Sequence, residues 1–343
     1  MKRGTNIQEV ARAAGVSITT VSHVLNGKGR LSDETRERVR RVAADLQYSP
    51  HMSARNLAGG KTGVLAVAVS QAPGMSFSLT DFAFFIQLMS GATQSALEHG
   101  YAPVLVPADP DDGDPFERLN VDGALIIDPV TRDPVVRQLR QRGVPVVTTG
   151  RVLGDEDGYW VDNNNAGGAR SILRHLERNG ASRIALVTGP PITSYTHDNL
   201  VVYNAWCAER SIEPLVVIPK GDLTEGAGFD AADALLGADN PPDAIYATLD
   251  RLGTGVIRAA QARGVSIPDE LMIASYTDSD VARWANPSLT ALELHPDEIG
   301  RQAMDMLTTI VNGQAPAEQH VHVASRLIAR GSTRRQGDSA TSA

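Results

Sequence analysis

The segment GVSITTVSHVLNGKGRLSDETRERV, residues 15–39, predicts a short helix, a turn and the start of a second helix. Ser17 and Ser32 are suited to begin these helices, because a serine hydroxyl accepts a hydrogen bond from a free amide of the first turn. Asn26-Gly27 is typical of a helix end. Between these signals the apolar residues recur at helical spacing and form one face, made of Val21, Val24 and Leu25.

The opposite face of this helix is polar. Positions i, i+3, i+4 and i+7 of that face are occupied by Thr19, Ser22, His23 and Asn26. Ile18 and Thr19 lie at the amino-terminal end, the part of a recognition helix that reaches base edges in the major groove. Thr20, nearer the turn, is suited to bind a phosphate. A second interpretation stays open here, in which this face contacts only water.

The flanking residues predict two further helices. Thr5 and Gln8 have the spacing of a capping box, and Gly15 permits a tight turn after the helix that they begin. The helix that starts at Ser32 has an apolar stripe of Val39, Val42, Ala43 and Leu46. Two short helices joined by a glycine-containing turn and braced by a third form a helix-turn-helix.

Charge separates the 343-residue chain into a basic start and an acidic remainder. Residues 1–61 contain eleven Lys and Arg against five Asp and Glu, whereas the remainder contains 21 against 35. A basic module is suited to bind a polyanion, and an acidic body would repel nucleic acid. The composition thus favours a nucleic-acid-binding head on a separate body.

The chain has the features of a cytoplasmic protein. It lacks an apolar signal segment and any run of 18 apolar residues, so neither secretion nor membrane insertion is expected. A single cysteine, Cys207, excludes an intrachain disulfide, and a buried, unreactive thiol is its expected state. We therefore predict a cytoplasmic protein, which would be nucleoid-associated through a DNA-binding head.

Residues 11–26 closely resemble the lactose/galactose-repressor family of bacterial regulators. The family pattern A-x-x-A-G-V-S-x-x-T-V-S-x-V-L-N is matched at every fixed position, and His23 replaces an arginine common among members, as it does in purine repressors, which this head resembles most. The resemblance implies binding to double-stranded operator DNA. The DNA-binding residues implied in this head are Thr5, Ser17, Ile18, Thr19, Thr20, Ser22, His23, Asn26 and Arg30.

Residues 49–61 follow the helix-turn-helix of residues 1–48 and contain PHMSARNLAGGK. One or two helical turns are not stable alone in water, so the residues by themselves indicate a linker. The resemblance implies a hinge helix that folds when two chains meet on the minor groove. There Leu57 would be a wedge between base pairs, and Ser53, Arg55 and Asn56 would face the groove and the backbone.

Residues 62–330 alternate apolar, β-branched runs with helical segments. The eight predicted strands are 64–69, 103–108, 123–128, 145–150, 183–189, 215–219, 244–249 and 271–276. Helical segments lie between most of them, such as 84–99, 133–142, 165–179, 226–236 and 252–263. This alternation predicts an α/β body of two doubly wound, parallel-sheet subdomains. Ligands bind beyond the carboxyl ends of such strands, so a cleft between the subdomains suits a small molecule.

The body resembles the periplasmic-binding-protein-like domain of the same family. VDGALI, GVPVV, VDNNNAGG, ASRIALVTG and NPSLTALEL stand in the family's order. The resemblance implies a first subdomain of about 62–161 with a returning segment near 291–320, a second of about 162–290, and a flexible tail at 331–343. It also implies effector contacts from Phe84, Phe85, Arg151, Asp162, Tyr195, Asn199, Leu223, Asp250 and Asp278.

Two departures from the family pattern concern the effector. Asn199 occupies the place of an arginine that pairs with carboxylates or sugar hydroxyls, and Thr277 stands where the family often has aspartate. An amide cannot replace a guanidinium charge. These changes indicate an effector that is neither a typical sugar nor an acid, or a cleft that binds weakly.

Motifs of other functions are weak. GAGFDA at 226–231 lacks the adjacent strand that a dinucleotide fingerprint needs, and HVH at 320–322 lacks a third metal ligand nearby. We predict no enzyme activity, no metal and no cofactor. The predicted function is a homodimeric repressor of a palindromic operator, controlled by a sugar or a nucleoside- or purine-like effector. The alternative is a cytosolic binding protein or enzyme with a vestigial head.

Overall fold

The computed structural model describes residues 6–25, 31–46, 61–70, 82–106, 116, 119–155 and 157–333. The chain divides into two compact units, Met1–Gly63 and Val64–Ala343. We call them the head and the body.

The head contains α1 (Ile7–Ala14), α2 (Ile18–Leu25) and α3 (Asp33–Asp45). The Ser17 and Ser32 caps are confirmed, since Ser17 Oγ accepts from Thr20 N at 3.0 Å and Ser32 Oγ from Thr35 N at 3.3 Å. The capping box of α1 begins at Asn6 rather than Thr5. Asn6 accepts from Glu9 N, and the Glu9 carboxylate accepts in return from Asn6 N.

The head is held by a small apolar core. Its fully buried members come from all three helices and include Val10, Val21, Val24 and Val39. The expected partners Leu25, Val42 and Leu46 pack around them but stay half-buried. Gly15 adopts a φ of 65° at the end of α1, where a left-handed residue turns the chain into α2. The helix-turn-helix prediction is therefore confirmed.

The first sheet of the body has the strand order β11-β5-β4-β3-β1-β2, with all strands parallel. In chain order its elements are β1 (Val64–Val69), α4 (Phe82–Glu98), β2 (Ala102–Leu105), β3 (Gly123–Ile127), α5 (Pro134–Gln141), β4 (Val146–Thr149) and β5 (Tyr159–Asn163), then α11 (Pro296–Val311) and β11 (His320–Val323). Helices α4 and α11 cover one face, and α5 covers the other.

The second sheet has the order β12-β10-β9-β8-β6-β7, parallel except for β12. Its elements are α6 (Asn165–Arg178), β6 (Ile184–Val187), α7 (Ser194–Glu209), β7 (Val216–Val217), α8 (Glu225–Leu236), β8 (Ala244–Ala247), α9 (Asp250–Ala262), β9 (Met272–Ser275), α10 (Asp280–Trp284), β10 (Thr290–Glu293) and β12 (Arg326–Ile328). Alternate residues of β6 pack against α8 and α9 on one face and against α6 and α7 on the other. Both predicted doubly wound sheets are confirmed.

The chain crosses between the sheets at different points from those predicted. Residues 290–293 pair with β9 and β12 in the second sheet, so the returning segment begins after them rather than at 291. It ends with β11 at 323, and β5 extends the first sheet to 163 rather than 161. These bounds follow the hydrogen-bonded ladder of each sheet, whereas the predicted bounds were approximate and came from the family resemblance.

The end of the chain is more ordered than the predicted tail at 331–343. Ser332 and Thr333 are fully buried, and Ser332 Oγ donates to Ile273 O at 2.6 Å. Residues 334–343 lie outside the described ranges. Burial of these hydroxyls with their partners anchors the last turn to the second sheet.

Glycines allow close helix packing in both subdomains. A Cβ at Gly91 in α4 would lie 1.9 Å from the Asp297 carbonyl oxygen of α11, and one at Gly255 in α9 would lie 2.1 Å from the Glu225 carbonyl oxygen of α8. These contacts fix the helices that cover the two sheets.

Two further predictions concern the cysteine and membrane insertion. Cys207 is fully buried, and burial raises the pKa of its thiol. No helix in the described ranges is long and apolar enough to cross a membrane.

Candidate functional site

The head presents the polar face of α2 to solvent. Thr19 and His23 are exposed, Ile18 is 47% exposed, and Thr20 and Ser22 are half-buried, while Val21 and Val24 on the opposite face are buried. Ser17 is exposed at the start of the helix and its hydroxyl is 2.8 Å from that of Thr20. This arrangement leaves hydroxyls, a methyl-rich side chain and an imidazole together on one surface, where they are able to meet base edges and phosphates.

Several predicted DNA-binding residues lie outside the described residues. They are Thr5, Asn26, Arg30, Ser53, Arg55, Asn56 and Leu57, and they include the whole proposed hinge contact. Their roles stay predictions from the family resemblance.

The body has a cavity of about 240 Å³ between its two sheets. Residues at or just after the carboxyl ends of strands line it, among them Ser70 after β1, Asp128 after β3, Gly189 two residues after β6 and Asp250 three residues after β8. These strand ends meet at the carboxyl edges of two parallel sheets, which is where open α/β folds bind ligands. The cavity is thus at the predicted place.

Seven of the nine predicted effector residues line this cavity. They are Phe84, Phe85, Asp162, Tyr195, Leu223, Asp250 and Asp278. Phe84 and Phe85 enter from α4, and Tyr195 from the start of α7, so apolar and aromatic surface dominates the wall. The lining groups suit a small ring-containing molecule.

Arg151 and Asn199 do not line the cavity. Arg151 Nη1 donates to Asp198 Oδ2 at 2.7 Å and its second nitrogen binds the other oxygen, so the guanidinium is held by α7. Asn199 is fully buried beneath the cleft; it donates to Tyr195 O at 2.7 Å and accepts from the Tyr246 hydroxyl. The amide therefore has a structural partner on each side and faces the core.

Asp162 is the acidic residue at the crossover between the subdomains. Its Oδ2 accepts hydrogen bonds from Asn165 Nδ2 at 2.8 Å and from Ser194 Oγ at 3.1 Å. Burial raises its pKa to about 6, with a smaller contribution from the negative charge of Asp198 and opposition from the hydrogen bonds. This carboxylate is therefore close to its protonation point near neutral pH.

Asp250 begins α9 and has an unsatisfied oxygen. The residue is only 8% exposed, its Oδ1 accepts from Arg251 N at 2.9 Å, and its Oδ2 is buried without a hydrogen-bond partner of normal geometry. Thr277 and Ser279 lie near enough to lower its pKa, but burial raises it more. A buried acceptor left open beside a cavity is a position for a ligand donor.

Asp278 lines the cavity but is already paired. Arg330 donates to both of its oxygens at 2.7 and 2.8 Å, and Arg283 approaches within 3.6 Å. A bidentate arginine pair satisfies a carboxylate well. Asp278 thus anchors the C-terminal segment, and its charge is neutralised within the protein.

The sequence prediction missed Asp128, which follows β3 and lines the cavity. Burial raises its pKa to about 7, and the nearby charge of Asp162 adds to the rise. Asp128 ends the predicted strand 123–128, so the strand-end reasoning applied to Asp250 also applied to it.

Residues beside the cavity connect the two subdomains. Val130 forms an isolated antiparallel bridge with Thr193, and Thr131 N donates to Ile192 O at 2.7 Å. The Arg151–Asp198 pair joins the same two subdomains. A ligand that contacts both walls is therefore able to alter their relative position.

The weaker motifs have structural roles. The Trp160 ring stacks on His320 with centroids 4.7 Å apart, and His322 meets its edge at 5.0 Å. GAGFDA belongs to the first turns of α8, which Thr224 caps. Among the described residues no cluster of three His, Cys, Asp or Glu side chains is arranged to hold a metal.

The chain matches two known protein families. Residues 6–51 match the lacI family of bacterial regulatory proteins, and residues 173–333 match a periplasmic binding protein-like domain. The HTH-type transcriptional regulator CelR of Thermobifida fusca is 30% identical over 96% of this chain and 98% of its own. The ribose operon repressor of Escherichia coli K12 is 28% identical over 95% of this chain and 99% of its own.

A solved structure agrees with these sequence matches. The complex of the transcriptional regulator CelR with cellobiose has a TM-score of 0.69 and 29% identity, covering 96% of this chain and 99% of that one. Both units of the fold and nearly the whole length are thus shared with known regulators. The chain belongs to the LacI family of bacterial transcriptional regulators.

Proposed function

We propose that this protein is a repressor that binds a palindromic operator as a homodimer and is controlled by a small molecule in the cleft of the body. The observation that carries the proposal is the polar, exposed face of α2 opposite its buried valines. The basic balance of residues 1–61 supports contact with phosphates.

The homodimer follows from the size of the head. Three short helices with one recognition face cover a single half-site, which buries too little surface for tight specific binding. Two linked heads multiply the affinity of each, and a two-fold protein requires a palindromic site. The hinge at 49–61, including Leu57, would add minor-groove contacts when two chains meet on DNA.

The effector site is the cavity between the sheets. CelR, a relative of similar length, has been solved with cellobiose, and the cavity here lies at the carboxyl ends of the strands. An effector bound to both walls changes the balance among the Val130–Thr193, Thr131–Ile192 and Arg151–Asp198 contacts. That change would bias the hinge between folded and unfolded forms.

Footprinting on the DNA beside the protein's own gene tests the proposal. The expected result is protection of two equal half-sites related by a two-fold axis, with major-groove guanines protected from methylation. Thr19→Ala should weaken protection, while Ala44→Ser, an exposed change on α3, should leave it intact. Uniform or absent protection would instead favour a binding protein with a vestigial head.

A further inference from the structure

The cavity of the body is acidic. Its described lining includes Asp128, Asp162, Asp250 and Asp278, but no Lys, Arg or His. On the basis of the proposed function, in which this cavity binds the effector, we infer that the effector is a cyclic organic ammonium ion. Its ring would pack on the aromatic wall, and its charged nitrogen would meet the carboxylates.

The open oxygen of Asp250 is the first support. The residue is more than nine-tenths buried, yet its Oδ2 has no partner of normal geometry among the described residues. An unpaired buried acceptor is costly, and a charged acceptor more so. A donor supplied by the ligand would remove that cost, and an ammonium group supplies up to three donors.

The second support is the charge balance around the cavity. Arg330 neutralises Asp278, and Asp198 holds Arg151 away from the lining. Asp128, Asp162 and Asp250 line the cavity, and the part of its lining that the structure describes has no cation to balance them. The ionised forms of these acidic side chains, in a partly desolvated site, repel an anion and attract a cation.

The protonation behaviour of the cavity agrees with this balance. Burial raises the pKa of Asp128 to about 7 and that of Asp162 to about 6, although Asn163 N, Asn165 and Ser194 donate hydrogen bonds to Asp162. A cation beside either residue would therefore favour its ionised form. A neutral polyol would donate hydrogen bonds to these carboxylates but leave their charges in place. An ammonium ion would donate hydrogen bonds to these carboxylates and would also balance their negative charge.

The aromatic side chains in the rest of the cavity wall favour a ligand that contains a ring. Phe84 and Phe85 line the cavity from the first subdomain, and Tyr195 and Tyr276 line it from the second, with the two tyrosine rings 6.5 Å apart. Aromatic faces pack against sugar or heterocyclic rings and also attract cations. A cavity of about 240 Å³ limits the ligand to a small molecule.

Matched compounds that differ in one substituent test the inference on the full chain. The probes are glucosamine, glucose and glucuronic acid, together with phenethylamine, 2-phenylethanol and phenylacetate. Thermal shift and titration calorimetry at pH 7 should find at least one amine bound about tenfold more tightly than its alcohol, with no binding of either acid. Asp250→Asn should reduce that preference to below about threefold, whereas Asp239→Asn, an exposed change, should preserve it.

Three outcomes would overturn the inference. They are an alcohol or an acid that binds as tightly as its amine, an Asp250→Asn variant with an unchanged preference, and a lack of binding by both amines. Operator binding, measured on the same samples with and without each probe, separates this failure from failure of the proposed function. Specific operator binding without an amine preference overturns the ligand class alone, whereas no specific DNA binding in any sample overturns the repressor.

Discussion

The predicted DNA-binding surface of the head and the cavity of the body are built from residues with different spacing in the sequence. Five of the predicted DNA-binding residues of the head lie on one eight-residue helix, so local spacing in the sequence determines which of these side chains share a face. The cleft collects residues that lie far apart in the chain, from Phe84 to Asp278, and depends on two sheets being completed. A site on a single helix can thus be predicted from a short sequence pattern. A site assembled from distant residues can be predicted only once the fold is known.

The largest expected effect comes from a substitution in the core of the head. Val21 is fully buried between the helices, and Val21→Asp places an unpaired charge there. We expect operator affinity to fall by more than about a hundredfold. The thermal transition of the body should stay unchanged, as measured by calorimetry beside an anisotropy titration. Equal loss of both would mean that the two units do not fold independently.

Removing one contact from the recognition face should have a smaller effect. Thr19 is exposed at the start of α2, and Thr19→Ala removes a hydroxyl and a methyl without disturbing the core. The predicted loss is about tenfold on the operator and much less on random DNA. Ala44→Ser is the control for a change elsewhere on the head. Unchanged operator affinity in Thr19→Ala would remove α2 from the interface.

The hinge residue Leu57 tests the family-based part of the account. Leu57→Ala should weaken operator binding by roughly fivefold, because a smaller side chain cannot separate base pairs in bent DNA. Binding to random DNA, which need not be bent, should change less. Competition titrations with both DNAs measure the difference. Equal losses on the two DNAs would show that the wedge role is wrong.

The smallest expected effect is a dependence of the body's stability on pH. The folded-state pKa values of Asp128 and Asp162, about 7 and about 6, lie above the unfolded value near 4. Their protonation therefore stabilises the folded body fully below about pH 4, and this stabilisation is lost as pH rises through 6 to 7. The melting temperature of the ligand-free body should fall by a few degrees between about pH 5.5 and 8.

Two variants isolate that contribution. Asp128→Asn removes the titrating group and should flatten the curve, because an amide does not change charge in this range. Asp239→Asn changes an exposed carboxylate and should keep the slope of the parent. If the melting temperature of the body increased from about pH 5.5 to 8, this would contradict the decrease that we expect from the titration of these two residues.

The sequence predicted the local features of the molecule better than the assembled ones. The caps Ser17 and Ser32 and the apolar stripe of α2 follow from spacing alone, and the structure has them. Helix α7 was missed because its buried side mixes Thr196 and Asn199 with Val202 and Trp206, which weakens the apolar periodicity. Polar residues buried with partners look like surface residues in a sequence.

The residues of the cleft were likewise only partly predictable from the sequence. Asp250 was found because it ends an obvious strand, whereas Arg151 and Asn199 were placed there by resemblance and instead pair with Asp198 and Tyr246. The pairing of Asp278 with Arg330 depends on a segment that returns from the end of the chain. Such partners are fixed by tertiary structure, so spacing cannot reveal them.

A salt titration of DNA binding is the strongest test of the proposed repressor function. The dissociation constant of the full chain should be measured on the operator fragment and on a random fragment of equal length, from about 50 to 200 mM salt. We expect the affinity to fall linearly with salt concentration on logarithmic axes and the operator to be bound about a thousandfold more tightly, or better, than random DNA. Affinity that ignores salt, or that is equal on both fragments, would contradict it.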